Sequence, residues 1–309
     1  TGSPVHVGYE LAALGLDARR RGCDVVHGLA YATPLVAPGV ARLVTILDLT
    51  WHHHPESVSR PARAMFRLLS TACGRGADRV IAISQTAAAD IAATLGLPRE
   101  KIDVTPLGVA PPPAAATAPA RDGAGVRARL GLPPGAPLLL CVAQLAAHKN
   151  LRALIDALPD DAWLVIVGRR TAHANELRGH ARARGVAGRL VLPGFVADAD
   201  LEGLYAAARG LVLPSLCEGF GLPLLEAMRR GLPVACANAS ALPEVAGGAA
   251  LLFDPRDAVS LRAALARLIG DDPLRARLIV AGHERAAQMT WDATARATLA
   301  AYRRALGTA

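Results

Sequence analysis

Two glutamates and the turn between them carry the densest chemical content in the sequence. In the run Leu211-Val-Leu-Pro-Ser-Leu-Cys-Glu218-Gly-Phe-Gly-Leu-Pro-Leu-Leu-Glu226-Ala-Met, an apolar stretch passes through glycines into a helical pattern. Backbone N–H groups at a helix opening have no partner within the helix and sit at the positive end of its dipole, so they suit phosphate oxygens. Glu218 precedes the opening and Glu226 lies about a turn and a half inside the helix, which puts the two carboxylates at separate depths. That suits one contact to a sugar and another to a ribose hydroxyl pair. The competing reading is an ordinary strand-to-helix turn with two solvated glutamates, since short glycine motifs recur by accident.

Such a turn needs a strand before it and a helix after it, and short β-rich runs alternate with Ala/Leu/Arg helical stretches along the whole chain. This is the pattern of parallel sheets with crossover helices, an α/β class. Strands are predicted at 24–27, 43–48, 79–83 and 102–105, with helices at 7–21, 59–74 and 85–95, the last capped by Ser84. The stretch from Pro111 to Gly123 is too rich in Pro and small residues to continue either element and reads as a linker, 111–124. Strands follow at 138–142, 163–167, 190–192, 210–213, 233–236 and 250–252, and helices at 257–270, 273–288 and 292–306. The domains are accordingly 1–110, 125–290 and a closing helix within 291–309 that packs back toward the first domain. Ligand crevices of such sheets lie at the carboxyl ends of the strands.

Composition narrows the class. The 309 residues are 52% hydrophobic, and charges, Pro or Gly interrupt every apolar run before the roughly 18 residues of a spanning helix. Five scattered cysteines without Cys-x-x-Cys spacing argue against a disulfide framework and a zinc site, and fit a reducing, cytoplasmic setting. A net charge of +8 favours an anionic partner, while the few aromatics and the lack of a basic-aromatic module argue against nucleic acid. Arg60, Arg63 and Arg67 recur at helical spacing beside Met65, Phe66, Leu68 and Leu69; they read as a solvated helix face or as a face for peripheral contact with anionic lipid at the inner membrane surface. The chain opens Thr-Gly-Ser and runs almost at once into a helix, which reads as a first domain lacking an earlier segment.

The Glu218 to Glu226 run resembles the Glu-x7-Glu motif of the retaining, group-one glycosyltransferases of family four, which adopt the GT-B fold of two facing Rossmann-like, doubly wound domains. Further stretches resemble that family in order: Leu140 to Leu151, containing His148-Lys149-Asn150; Arg189 to Val196; Leu242-Pro-Glu244-Val-Ala-Gly; and the helix from Trp291 to Tyr302. The resemblance implies a nucleotide sugar bound by the second domain, an acceptor bound by the first, and no cofactor. It implies that Lys149 meets the pyrophosphate, Glu226 the ribose and Glu218 the transferred sugar. Gly219, Phe220, Gly221 and Leu222 offer backbone amides, and Val196 lies by the nucleobase or is a buried strand residue. The His148-Lys149-Asn150 form looks most like the mannosyltransferase-like branch, which implies GDP-mannose, with a UDP-hexose next, and a glycan or glycolipid acceptor in polysaccharide assembly. Transfer is expected to be metal-independent, with lysine and amides stabilising the diphosphate.

Two positions depart from the family pattern. Gln144 stands where members often carry Arg; it can donate a hydrogen bond to the donor but brings no charge, so the diphosphate leans on Lys149 and amides, or on Arg169 or Arg170, which read in preference as exposed loop charges. Leu47 stands where the strand end usually reads His-Asp, so either the His is dispensable, or His52, His53 or His54 serves in its place, or activity is weak; Asp48 remains, to orient an acceptor or cap the loop. The adjacent His52, His53 and His54 read as a polar loop, and Asp198-Ala-Asp200 reads as helix capping in preference to a metal motif. The departures motivate an alternative, a non-catalytic GT-B module that binds a nucleotide sugar or glycan. A dehydrogenase is disfavoured because no Gly-x-Gly-x-x-Gly follows a strand.

Overall fold

The computed structural model describes residues 4–111, 122–169 and 171–308. The chain divides into two compact units, the first comprising 1–108 with 291–309 and the second 109–290.

The first unit opens with helices α1 (Pro4–Ala12) and α2 (Leu14–Arg20), followed by strands β1 (Val25–Gly28) and β2 (Ala41–Ile46). The short helix α3 (Thr50–His53) and the long α4 (Arg60–Gly76) lead to β3 (Arg79–Ala82), α5 (Gln85–Leu95) and β4 (Ile102–Val104). The four strands are parallel and adjacent in chain order, β1-β2-β3-β4. Side chains alternate across the sheet. Val44, Ile46, Val80 and Ala82 face a core shared with Cys73, Ile91 and Leu95 of α4 and α5. Leu43 and Ile81 point to the opposite face.

The second unit runs α6 (Gly123–Arg129), β5 (Leu138–Val142), α7 (Leu151–Asp156), β6 (Trp163–Val167), α8 (His173–Ala183), β7 (Leu190–Gly194) and α9 (Asp198–Ala207). It continues through β8 (Gly210–Leu213), α10 (Leu222–Arg229), β9 (Val234–Ala237), α11 (Leu242–Ala246), β10 (Leu251–Phe253), α12 (Ala258–Gly270) and α13 (Asp272–Gln288). Its six parallel strands are ordered β10-β9-β8-β5-β6-β7. The order reverses between β5 and β8, so the loops after these two strands leave on opposite sides of a gap at the carboxyl edge, where open α/β sheets take ligands. The chain then returns to the first unit as α14 (Trp291–Leu306), which lies on β2 and β3. There Ala301 is buried against Leu43 and Ile81.

Several expectations are corrected. The helix at 7–21 is two helices that meet at Ala13. In α2 a Cβ on Gly15 would stand 2.2 Å from the Val36 carbonyl oxygen, so close packing on that loop sets the position of α2. Two of the three histidines are not in a loop: His52 and His53 close α3, and His54 follows as its C-cap in the connection. Asp198 does not cap α9. Ala197 holds the N-cap position, Asp198 and Asp200 fall in the first turn, and Asp200 pairs with Arg129. Acidic groups there are favoured by the helix dipole. Asp271 accepts from the Leu274 N–H at 2.9 Å and starts α13 one residue early. Residues 112–121 of the segment read as a linker, and Arg170, lie outside the described residues. The segment's last residues already belong to α6, where Asp122 accepts from the Gly125 N–H at 2.8 Å. Among the described residues no helix is long and apolar enough to cross a membrane.

Candidate donor site in the second unit

The loops after β5 and β8 meet across the strand-order reversal. After β5 the chain makes a tight turn, Ala147–Lys149, and enters α7 through Asn150, held at φ 53°. Asn150 donates through Nδ2 to the Pro255 carbonyl at 2.8 Å, which anchors the strained residue. After β8 the chain reaches α10 through Gly221, whose φ of 99° is open to glycine and strained for other residues. The Leu216 N–H donates to the His148 carbonyl at 2.8 Å and ties the two loops together.

Lys149 and Glu218 form an ion pair in this setting, Nζ to Oε1 2.7 Å, with side chains 14% and 16% exposed. The Ser215 hydroxyl donates to the same Oε1 at 2.8 Å. Ser240 donates to the Glu218 carbonyl at 2.8 Å and accepts from the Glu218 N–H at 3.2 Å, so the backbone of Glu218 is held as well as its carboxylate. Gly219, Phe220 and Gly221 are buried between this pair and α10 in sequence, and the Leu222 that opens α10 is half-buried. With its N-terminal turn at this point, α10 presents amide donors that no earlier helical carbonyl can satisfy.

Glu226 sits one turn into α10 within a second cluster. The Tyr205 hydroxyl donates to its Oε2 at 3.1 Å, and Arg230 donates to its backbone carbonyl at 2.8 Å. The Arg230 guanidinium lies 4.7 Å from the centre of the Tyr205 ring and pairs with the buried carboxylate of Glu202 through both oxygens. Burial, with the Glu226 charge next, raises the Tyr205 pKa well above the phenolic range, so the hydroxyl stays a donor. Arg230 is likewise held protonated by Glu202 against the cost of burial. Sequence reasoning missed Tyr205, Glu202, Arg230, Ser215 and Ser240. The i to i+4 spacing of Glu226 and Arg230 was the one readable hint.

Gln144 and Val196 line one cavity of about 460 Å³ with Val142, Val167, Arg169 and Phe195. The ends of β5 and β6 approach so closely that a Cβ on Gly168 would lie 1.9 Å from the Ala143 carbonyl oxygen. Phe195 stands 84% exposed at the rim, and Asp198 and Pro223 complete the wall. Lys149, Glu218 and Glu226 are outside this lining, so the described groups fall into an apolar cavity, a charged pair and a carboxylate-tyrosine cluster.

Asp48 belongs to the first unit. Its Oδ1 accepts from the Thr50 N–H at 2.8 Å and fixes the turn into α3. Leu47 is half-buried beside it. His53 bonds to both oxygens of Asp90 at 2.8 and 2.9 Å, and His54 Nδ1 lies 3.0 Å from Glu56, so both rings are engaged locally. No group of three or more His, Cys, Asp or Glu suited to a metal ion occurs among the described residues.

Comparison with known proteins adds the family. A model described as glycosyl transferases group 1 matches residues 125–285, and one described as glycosyltransferase family 4 matches 3–111. The chain is a group 1 glycosyltransferase. The O-antigen chain mannosyltransferase B of Escherichia coli is 46% identical over 110 residues, 36% of this chain and 29% of that protein. A D-inositol 3-phosphate glycosyltransferase of Xylanimonas cellulosilytica is 32% identical over 240 residues, 74% of this chain and 57% of that protein. The matched part thus spans well under two thirds of these curated relatives. The crystal structure of Anabaena Alr3699/HepE in complex with UDP-glucose superposes with a TM-score of 0.75 at 22% identity, covering 96% of this chain and 83% of that one. The glycosyltransferase therefore has the GT-B fold, built here from a four-stranded and a six-stranded parallel sheet.

Proposed function

We propose that this glycosyltransferase moves mannose from GDP-mannose to a glycan or glycolipid acceptor, with retention at the anomeric carbon and without a metal ion. The observation that carries the reading is the Lys149–Glu218 pair, held at the opening of α10 where the β5 and β8 loops meet. A clamped ammonium and a row of helix amides supply positive charge where a diphosphate leaves. Lys149 meets that diphosphate, with the backbone amides of Gly219, Phe220, Gly221 and Leu222. Glu218 accepts from hydroxyls of the sugar. Glu226, oriented by Tyr205, accepts from the ribose diol. Gln144 and Val196 border the base, which the apolar cavity accommodates.

In the transfer, an acceptor oxygen bonds to the anomeric carbon on the face from which the diphosphate departs. The bond from that carbon to the phosphate oxygen breaks, and the acceptor proton passes to the departing phosphate oxygen. The acceptor is assigned to the first unit, whose loop after β2 is fixed by Asp48. The mannosyltransferase name of the Escherichia coli relative and the His148-Lys149-Asn150 form support mannose. The setting that follows is the cytoplasm, at the inner membrane face for a lipid-linked acceptor.

The test is a panel of nucleotide sugars with oligosaccharide and glycolipid acceptors, read as released nucleoside diphosphate, with product anomers assigned by NMR. GDP release from GDP-mannose, an α product and indifference to EDTA are expected. Binding of donors without release from any of them establishes a binding module in place of an enzyme, and release from UDP-hexoses alone overturns the donor assignment.

A further inference from the structure

One face of α4 carries Arg63, Arg67, Thr71 and Arg75, each four residues after the last, so the four side chains form a row about 18 Å long. The row lines a groove of about 540 Å³ that Trp51 and His52 bound on one side and Thr94 and Leu95, the end of α5, on the other. No carboxylate lines it. The nearest acid on α5, Asp90, is taken by His53 and by the Thr94 hydroxyl. Among the described residues neither the Arg63 nor the Arg67 guanidinium has a hydrogen-bond or ion-pair partner, and the Arg75 guanidinium reaches only the Leu95 carbonyl at 3.5 Å.

Like charges at this spacing destabilise a helix. Other arginines of the same unit are compensated: Arg42 by Asp78, and Arg79 and Arg304 by Asp103. The three arginines are exposed, yet all three line one concavity together with Thr71 and Thr94, which sets them apart from a stripe on a convex helix face. A flat lipid contact would also recruit Arg60, which stands outside the groove lining.

We propose that the groove between α4 and α5 is a binding site for a phosphate-bearing ligand, with Arg63 and Arg67 as its forks and Arg75 at its far end. Guanidinium groups match phosphate oxygens in pairs, and the row is long enough for a diphosphate or for a phosphate with a polar extension. The site lies wholly in the first unit and does not rest on the donor reading above.

The test is calorimetric titration of the full chain with inorganic pyrophosphate, comparing wild type, Arg63→Gln/Arg67→Gln, Lys149→Met, and a charge-matched control, Arg19→Gln/Arg60→Gln. Wild type and the control are expected to show a pyrophosphate site that persists in Lys149→Met, where the donor-site contribution is removed, and that the groove variant weakens by about tenfold or more. Far-UV circular dichroism checks that each variant is folded. Sedimentation with vesicles of phosphatidylcholine, with and without phosphatidic acid, forms the second arm. A groove variant that also loses acid-dependent vesicle binding assigns the phosphate to a lipid headgroup, and one that loses pyrophosphate alone assigns it to a soluble ligand. Equal pyrophosphate affinity in wild type and groove variant, equal loss in the control, or no pyrophosphate binding by wild type overturns the proposal.

Discussion

Replacing Lys149 by Met keeps the aliphatic stem and removes the charge that faces Glu218. At the observed 2.7 Å, unit charges attract by about 6 kcal/mol at an effective dielectric constant near 20, before desolvation is counted. Both side chains are mostly buried, so desolvation returns much of that, whereas deleting one partner leaves the other charge without compensation. Ser215 still donates to Glu218, which softens the loss. The expected net cost of Lys149→Met is about 2–3 kcal/mol, and a second change, Glu218→Gln, should restore about 1–2 kcal/mol of it. For a unit of this size each kcal/mol moves the melting temperature by roughly 2–4 °C. Scanning calorimetry on the four proteins of the cycle, backed by urea unfolding, reads both quantities. Single variants within about 0.5 kcal/mol of wild type, or strict additivity, would refute the reading that the two buried charges compensate each other.

Glu226→Ala should weaken nucleotide-sugar binding by about tenfold, the loss of a charge-assisted contact, and unchanged affinity in calorimetry removes it from the ribose. Gly168→Ala drives a methyl into the Ala143 carbonyl oxygen, so nucleotide affinity and stability should both fall; tolerance of the change in a binding assay contradicts the close approach of β5 and β6. His27 is pushed below the ordinary imidazole value of 6.5 by burial between Tyr302 and Thr45. The unfolded chain therefore binds the proton first, and the contribution present above pH 6.5 declines as pH falls below it. His27→Gln should flatten that acid limb in urea unfolding measured between about pH 7 and pH 5.

The architecture was legible because buried parallel strands read as short continuous apolar runs, and residues 138–142, 163–167 and 210–213 are strands where the pattern put them. Local backbone chemistry was readable too: Ser84 accepts from the Ala87 N–H at 3.0 Å. The break at Ala13 was not, because it depends on how closely Gly15 approaches the Val36 loop, a tertiary contact. Asp198 illustrates a different limit. An Asp-x-Asp before a helix suits both a cap and a first turn, and only the extended backbone of Ala197 (ψ 152°) decides between them. The meeting of Lys149 with Glu218, 69 residues away, follows from the strand order and leaves no trace in spacing. The clustering of Tyr205, Glu202 and Arg230 around Glu226 is hidden for the same reason.

The return of α14 bears on the order in which the chain matures. The face of β2 and β3 that holds Leu43 and Ile81 is covered by Ala301, and Asp103 is paired by Arg304, so the first unit draws on residues that follow the entire second unit. During synthesis at ordinary ribosomal rates, roughly ten to forty seconds separate the emergence of β4 from that of α14. Over that interval the apolar face of β2 and β3 lacks its cover, so the first unit is completed only after the whole second unit has been made.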